Sequence, residues 1–397
     1  MKTPAALAGK SPCVRTMRRR MRFVALVGGL GLSLLAQSKA IYAAEPMKIP
    51  MTADRWEAKD NVEFSQPDGF PLGAITVKKG VAVLKDVDFH NGTIAFDVQP
   101  LGSMGAGIGF RRRDDETYED FYLRPRPKCA EAVDCMQYAP HTHGVLLWDM
   151  FPQYQSPAPL KDSGWNHIKM VISGQRMNIY VNGESSPSLT VGRLEGDAES
   201  GGILLQGPGI FANLEVAPDA VEGLASTPVK DAADGDARYL RNWWLAPSQP
   251  SPEGSVPALA EMPGSSQPWK PIAAERGGVI DISRVYGLAG GRGDGEMTWL
   301  KTTVTSSKSQ TKKVSIGWTR EIWVFVNGKQ VFADKNLYQP PAARKNPDGR
   351  LSLENGSFDL PLNAGKNEIS VALANNFYGW GMVMRLEDAK GIQLEKQ

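Results

Sequence analysis

Short β-forming runs broken by Gly, Pro and Asn-Gly recur along almost the whole chain, and sustained helical periodicity of apolar residues is nearly absent. The first series reads ITVKKGVAVL, TIAFDVQP, GAGIGFRRR, TYEDFYLRPR, GVLLWDM, HIKMVISG, RMNIYVNG, SLTVGRL and GILLQGPGIFANLEVAP. A second runs from GGVIDISRVYG through MTWLKTTVTSS, KKVSIGW, EIWVFVNGKQVF and GRLSLENGSFDLPL to NEISVALANNFYGWGMVMRLED. An amphipathic sheet must cover its apolar face with a second layer, so each series predicts two packed antiparallel sheets. The expected fold class is all-β, with two antiparallel β-sandwich (jelly-roll) domains joined by a Pro/Ala/Ser-rich linker. A length of 397 residues also exceeds what one ordinary core accommodates.

Composition places the boundaries. Between the two series the chain turns rich in Ala, Pro, Ser, Gly and Asp, as in LAPSQPSPEGSVPALAEMPGSSQPWKP, a stretch with too little apolar surface to fold alone. The expected organisation is a first sandwich over 44–218, a linker over 219–275, and a second sandwich over 276–397. Within the linker, RYLRNWWLA near 238–246 is expected to dock on the second sandwich as its first strand.

Residues 1–43 read as a cleavable signal peptide: MRRRMR, then the apolar run FVALVGGLGLSLLA, then a small-residue zone with candidate cleavage sites after Ala40, Ala43 or Ala44. The run is shorter than the roughly 20 apolar residues of a membrane span. The expectation is a periplasmic or extracellular protein with no membrane anchor after cleavage. Residues 1–40 hold eight Lys and Arg and no acidic residue, so removing them leaves 37 basic against 43 acidic residues and a net charge of −6. A mildly acidic chain has no electrostatic reason to bind nucleic acid.

Period-two alternation assigns faces. Ile94, Phe96 and Val98 of TIAFDVQP belong in the core. In TYEDFYLRPR, Glu119, Phe121 and Leu123 share one face, and Tyr118, Asp120, Tyr122, Arg124 and Arg126 share the other. Next comes KCAEAVDCMQYAPHTHG, with Cys129, Cys135, His141 and His143. A Cys2His2 zinc set is one reading, but C-x5-C is wider than the usual finger spacing. In an oxidising compartment a Cys129–Cys135 disulfide is preferred, so no metal ligand is assigned.

Planar hydrogen-bonding groups and aromatic faces suit sugars, so Arg111, Arg112, Tyr122, Arg124, Arg126, His141 and Trp148 are candidate ligand-binding residues. Asp120, Asp149 and His143 are candidate catalytic groups, since acid–base chemistry needs a proton donor and an acceptor. Each has a plain structural alternative: ion pairs on a solvated sheet face for the charged groups, core packing for Trp148. Glu119 is assigned to such pairing because it shares its face with Phe121 and Leu123. In the second series, ANNFYGWGM offers Asn376, Tyr378 and Trp380, beside Asn375 and Phe377, with Trp323 and Tyr338 as candidate neighbours. GRGDGE, with Asp294, has the form of an adhesion tripeptide or a cation loop, or simply of a glycine-rich turn. No cofactor is expected, and Ca²⁺ has no ligand set to support it.

GWNHIKMVISGQRMNIYVNGE followed by GGILLQGPGIFANLEV resembles the closing strands of concanavalin A-like, laminin-G-like sandwiches. It looks most like bacterial secreted members grouped with 3-keto-disaccharide hydrolases, over roughly Asp54 to Pro218. The second series resembles galactose-binding-like jelly rolls appended to glycoside hydrolases. The resemblance implies a carbohydrate context and a glycan or oligosaccharide partner. Related glucanases carry Glu-x-Asp-x-x-Glu on one strand, and no such spacing occurs here; the nearest run, ETYEDFYL, spreads Glu116, Glu119 and Asp120 over both faces. Three functions follow: glycan binding through one or both sandwiches, which the missing motif favours; a glycoside hydrolase acting on 3-keto sugars in the first sandwich; or a non-catalytic protein-interaction or structural module.

Overall fold

Ile94, Phe96 and Val98 are buried in the core while Ala95, Asp97 and Gln99 between them are half-buried, as alternation requires of a strand covered on one face. The computed structural model describes residues 45–103, 105–161, 163–251, 254–287 and 295–395. The signal peptide expected over 1–43 and Asp294 of GRGDGE lie outside them. Among the described residues the strands form four antiparallel sheets, and no helix is long and apolar enough to cross a membrane.

The back sheet of the first sandwich runs, in spatial order, Leu189–Val191, Arg176–Val181, Asn166–Ser173, Gly92–Pro100, Gly209–Pro218, Ala74–Val77, Val62–Ser65. The facing sheet, called the cleft sheet below, runs Val145–Leu146, Met136–Thr142, Tyr118–Leu123, Ala106–Arg112, Gly202–Gln206, Val81–Leu84, Trp56–Lys59. Phe96 and Phe211 of the back sheet pack in one core with Ile108, Phe110, Phe121 and Tyr138 of the cleft sheet.

In the second sandwich one sheet orders Lys270–Ala273, Asn242–Leu245, Glu296–Ser306, Gly365–Asn375, Arg320–Val326, Lys329–Asn336. The other orders Val279–Asp281, Gly381–Leu386, Gln310–Trp318, Gly356–Leu362. The stretch expected as linker thus supplies three paired strands, the third being the short Gln249–Pro250 against Met297 and Glu296. Trp243 is fully buried in the second core while Trp244 stays 37% exposed, so the alternation of RYLRNWWLA is what lets it add to the sheet. Asn327-Gly328 closes a two-residue hairpin with both residues at positive φ. Asn182 and Gly183 also have positive φ, but their turn sits inside the longer connection between Val181 and Leu189.

The two sandwiches pack against each other through GVLLWDM. The fully buried Asp149 carboxylate pairs with Arg320 and accepts from the Gly379 amide at 3.1 Å, and its backbone oxygen takes the Leu351 amide at 2.8 Å. Burial pushes the Asp149 carboxyl up, and the Arg320 charge pulls it back. Met150 fills the space over Gly379 and Gly381, where a Cβ would lie 2.5 and 2.3 Å from its side chain. A second bridge runs from Arg284 to Asp197 at 2.9 Å.

Candidate functional site

On the cleft sheet Tyr118, Asp120 and Tyr122 point away from the core, and the strand beside them reads Ala-Gly-Ile-Gly-Phe. Ala106, Ile108 and Phe110 are buried in the core, so Gly107 and Gly109 are what this strand presents to the outer face, opposite Tyr122 and Asp120. A Cβ at Gly109 would stand 2.8 Å from the Tyr118 ring and 2.9 Å from Leu204, so the close packing requires glycine. Across this bare strip Gln206, from the next strand, donates to both oxygens of Asp120 at 2.7 and 2.9 Å. Asp120 is 1% exposed, and burial pushes its pKa up to about 7 against the opposing Gln206 bonds.

These residues form the floor of a cavity of about 340 Å³. On one side the His141 ring stacks on Tyr118 at 4.5 Å, with its Nδ1 3.2 Å from the Glu116 carbonyl oxygen. On the other, the Tyr122 hydroxyl donates to Gln137 at 3.0 Å and accepts from Arg124 at 2.7 Å, while Gln137 donates to the Trp148 carbonyl at 2.6 Å. The Arg124 guanidinium lies over the Tyr122 ring at 4.9 Å and 5.7 Å from Trp148. Burial raises the Tyr118 and Tyr122 hydroxyls well above the ordinary tyrosine value, so both stay protonated.

The roof comes from the second sandwich. Tyr338 and Tyr378 meet Trp148 edge-on at 4.9 and 5.9 Å, and Phe377 meets it at 6.5 Å. The enclosure combines aromatic faces with a few fixed polar groups, Asp120, Gln206, Arg124 and His141, which is the composition of a small-ligand pocket. It can stack on the apolar face of a ring, hydrogen-bond its hydroxyls, and move a proton at Asp120.

Of the residues singled out from sequence, Tyr118, Asp120, Tyr122, Arg124, His141, Trp148, Tyr338, Phe377 and Tyr378 are brought together here. The others stand elsewhere. Arg111 has positive φ (50°) beside a register shift between Gly202 and Leu204, and this bulge turns its buried guanidinium toward the His90 and Gly174 carbonyls at 2.7 Å. Arg112 pairs with Asp115, and Arg126 pairs with Asp134 at 2.7 Å. His143 lies on the exposed turn after Thr142, outside the cavity, and Asp149 is the buried inter-sandwich ion pair. Trp380 is fully buried in the second core, its Nε1 donating to the Leu373 carbonyl, and the exposed Asn376 borders a separate small pocket. Gln206 is the floor residue sequence reasoning missed, although alternation in GILLQ, with Ile203 and Leu205 buried, put it on the outer face.

Glu119 lies on the core side, as its face predicted, but its partner is a tyrosine: the Tyr138 hydroxyl donates to it at 2.6 Å, and burial pushes its pKa up to about 7. Cys129 and Cys135 form the expected disulfide. With both sulfurs in one covalent bond a Cys2His2 zinc set has no thiolates, and no cluster among the described residues could hold a metal ion. The closed loop presents Asp134 to Arg126 and, at 3.5 Å, to Arg350, whose guanidinium lies 5.1 Å from the Trp148 ring.

Residues 51–217 match a family model described as a 3-keto-alpha-glucoside-1,2-lyase-like domain. The chain matches no curated protein. Among solved structures it is similar to a carbohydrate binding module, CBM66, from Bacillus subtilis at 13% identity, covering 41% of this chain and 91% of that one with a TM-score of 0.28. It is also similar to a native glycosidic hydrolase at 11% identity, covering 44% and 97% with a TM-score of 0.32. The match over residues 51–217, the segment that builds the cleft sheet and its partner, supports a 3-keto-disaccharide hydrolase-like β-sandwich domain for the first sandwich.

Proposed function

We propose that the cleft binds a saccharide and that this recognition is the protein's function. The observation that carries the reading is the cavity itself: aromatic rings of both sandwiches enclose Asp120, Gln206, Arg124 and His141 in a space the size of one or two sugar rings. The family match over the first sandwich supports a glycan ligand. The disulfide and the signal-like N-terminus support a periplasmic or extracellular site of action. Titration of the mature protein with a panel of glycans, read by calorimetry, tests it. Binding that Trp148→Ala weakens at least tenfold is expected, and a panel with no binder refutes the reading.

A second reading, catalysis, is favoured by Asp120. It is the one carboxylate among the described residues lining the cavity, so a two-carboxylate glycosidase mechanism lacks its second group. One carboxylate suffices for elimination from a 3-keto glycoside, the chemistry that the family description names. The C2 proton, acidified by the neighbouring ketone, passes to Asp120; the C1–C2 double bond forms as the C1–O bond breaks; and the departing oxygen takes up a proton. A carboxylate poised near neutrality suits that transfer. Incubation with 3-keto glycosides should release the aglycone together with an enone absorbing in the near ultraviolet. Turnover that survives Asp120→Asn intact removes Asp120 from the role.

A further inference from the structure

Arg124 and Arg350 lie against the Trp148 ring, Arg126 follows Arg124 in the chain, and Arg126 and Arg350 are both neutralised. Arg126 has Asp134, and Arg350 has Asp134 and Asp348. Arg124 is only 7% exposed, yet among the described residues no carboxylate lies within ion-pairing distance of it. Its contacts are the neutral Tyr122 hydroxyl, a long 3.5 Å approach to Gln155, and the two ring faces. Asp120, the carboxylate on the floor, is held by Gln206 and shifted by burial, with no cation contributing.

A guanidinium taken out of water without a counter-charge is costly, and ring faces offset only part of that cost. Its planar fork is shaped for a carboxylate. Resting on the saccharide reading above, we propose that Arg124 supplies the counter-charge for an acidic ring, so that the preferred ligand is a uronate-bearing saccharide whose carboxylate docks on this guanidinium. The ring then lies against the aromatic lining that Trp148, Tyr338 and Tyr378 share, and its hydroxyls reach Gln206 and Asp120. The acidic ligand completes the charge balance of the cleft.

The test uses the full mature chain and matched saccharides, as methyl glycosides and disaccharides of the gluco and galacto series. Within each set the members differ only in whether C6 of the terminal ring is a hydroxymethyl group, a carboxylate or a sulfate ester. Calorimetry at low and moderate salt should give at least tenfold tighter binding of the uronate than of the neutral ring. In Arg124→Gln that ratio should collapse to near one. Arg124→Lys keeps the cation and the packing stem but not the fork, and should give an intermediate ratio, which guards against a variant that merely misfolds.

A wild-type ratio near one, with the neutral ring bound, overturns the inference and leaves the saccharide reading standing. A preference that persists in Arg124→Gln takes the role away from Arg124. Tighter binding of the sulfate ester overturns the assignment to a uronate. Failure of every saccharide, neutral and acidic, refutes the underlying reading of the cleft.

Discussion

Replacing Asp120 by Asn removes a charge while keeping the shape of the side chain and an oxygen to accept from Gln206. In the folded chain burial lifts this carboxyl from an ordinary 3.8 to about 7. A group held protonated by folding binds its proton more tightly in the native than in the unfolded state, so native stability falls as pH rises between the two values. Each unit corresponds to about 1.4 kcal/mol, and a shift of about 3 units sets an upper bound near 4 kcal/mol. Water entering the open cleft lowers this, and about 2–3 kcal/mol is the working expectation. Asn pays no such cost at any pH. The variant should therefore match the wild type below about pH 3 and exceed it by about 2–3 kcal/mol above about pH 8, with the gap opening between. Glu119 is also pushed up to about 7, but it is present in both proteins and cancels in the difference. Urea unfolding of the oxidised protein across that range, at constant ionic strength, measures the gap. A difference that does not change with pH, or a variant less stable at alkaline pH, refutes the account of Asp120 as a desolvated carboxyl.

Asp149→Ala strips Arg320 of its buried partner and should cost about 3–5 kcal/mol in urea unfolding, far more than Asp149→Asn, which keeps an acceptor for the Gly379 amide. Trp148→Ala should cost about 3 kcal/mol or more in the same assay, besides weakening saccharide binding, because the ring carries contacts to Tyr338, Phe377 and Tyr378. The paired change Cys129→Ser with Cys135→Ser should cost about 2 kcal/mol, from the entropy of a small loop. It should also weaken binding, because Asp134, which neutralises Arg350 under Trp148, rides on that loop. Unchanged affinity would show that the loop and the cleft are independent.

What the sequence made legible was set by how local each feature is. Alternation is a two-residue property of the backbone, and it put Ile94, Phe96 and Val98 inward and Tyr118, Asp120 and Tyr122 on one outer face, where they are found. It failed at Arg111 because a bulge re-aims one residue without any mark in the composition of GFRRR. Trp148 and Asp149 are neighbours on a turn just after the strand Val145–Leu146, and nothing local says what each meets, because Arg320 lies 171 residues further along the chain. Trp380 shows the converse limit: a loop-like aromatic next to Tyr378, separated from it only by Gly379, is committed to the second core, and nothing in ANNFYGWGM says which ring turns in. The cleft depends on both kinds of information. Its floor is written in one sheet of the first sandwich, including the glycines that clear it, whereas its roof comes from a second sandwich that the Asp149–Arg320 pair, Met150 and the Arg284–Asp197 bridge set against that sheet. Breaking the pair should therefore reach function by way of the roof. In Asp149→Asn, which should still fold, loss of the Arg320 charge partner should loosen the turn at Phe377, since Arg320 also donates to the Phe377 carbonyl at 2.8 Å. Affinity for saccharide should fall in that variant although Asp149 touches no part of the cavity. Retained affinity with a lowered stability would mean that the first sandwich holds its ligand without the second.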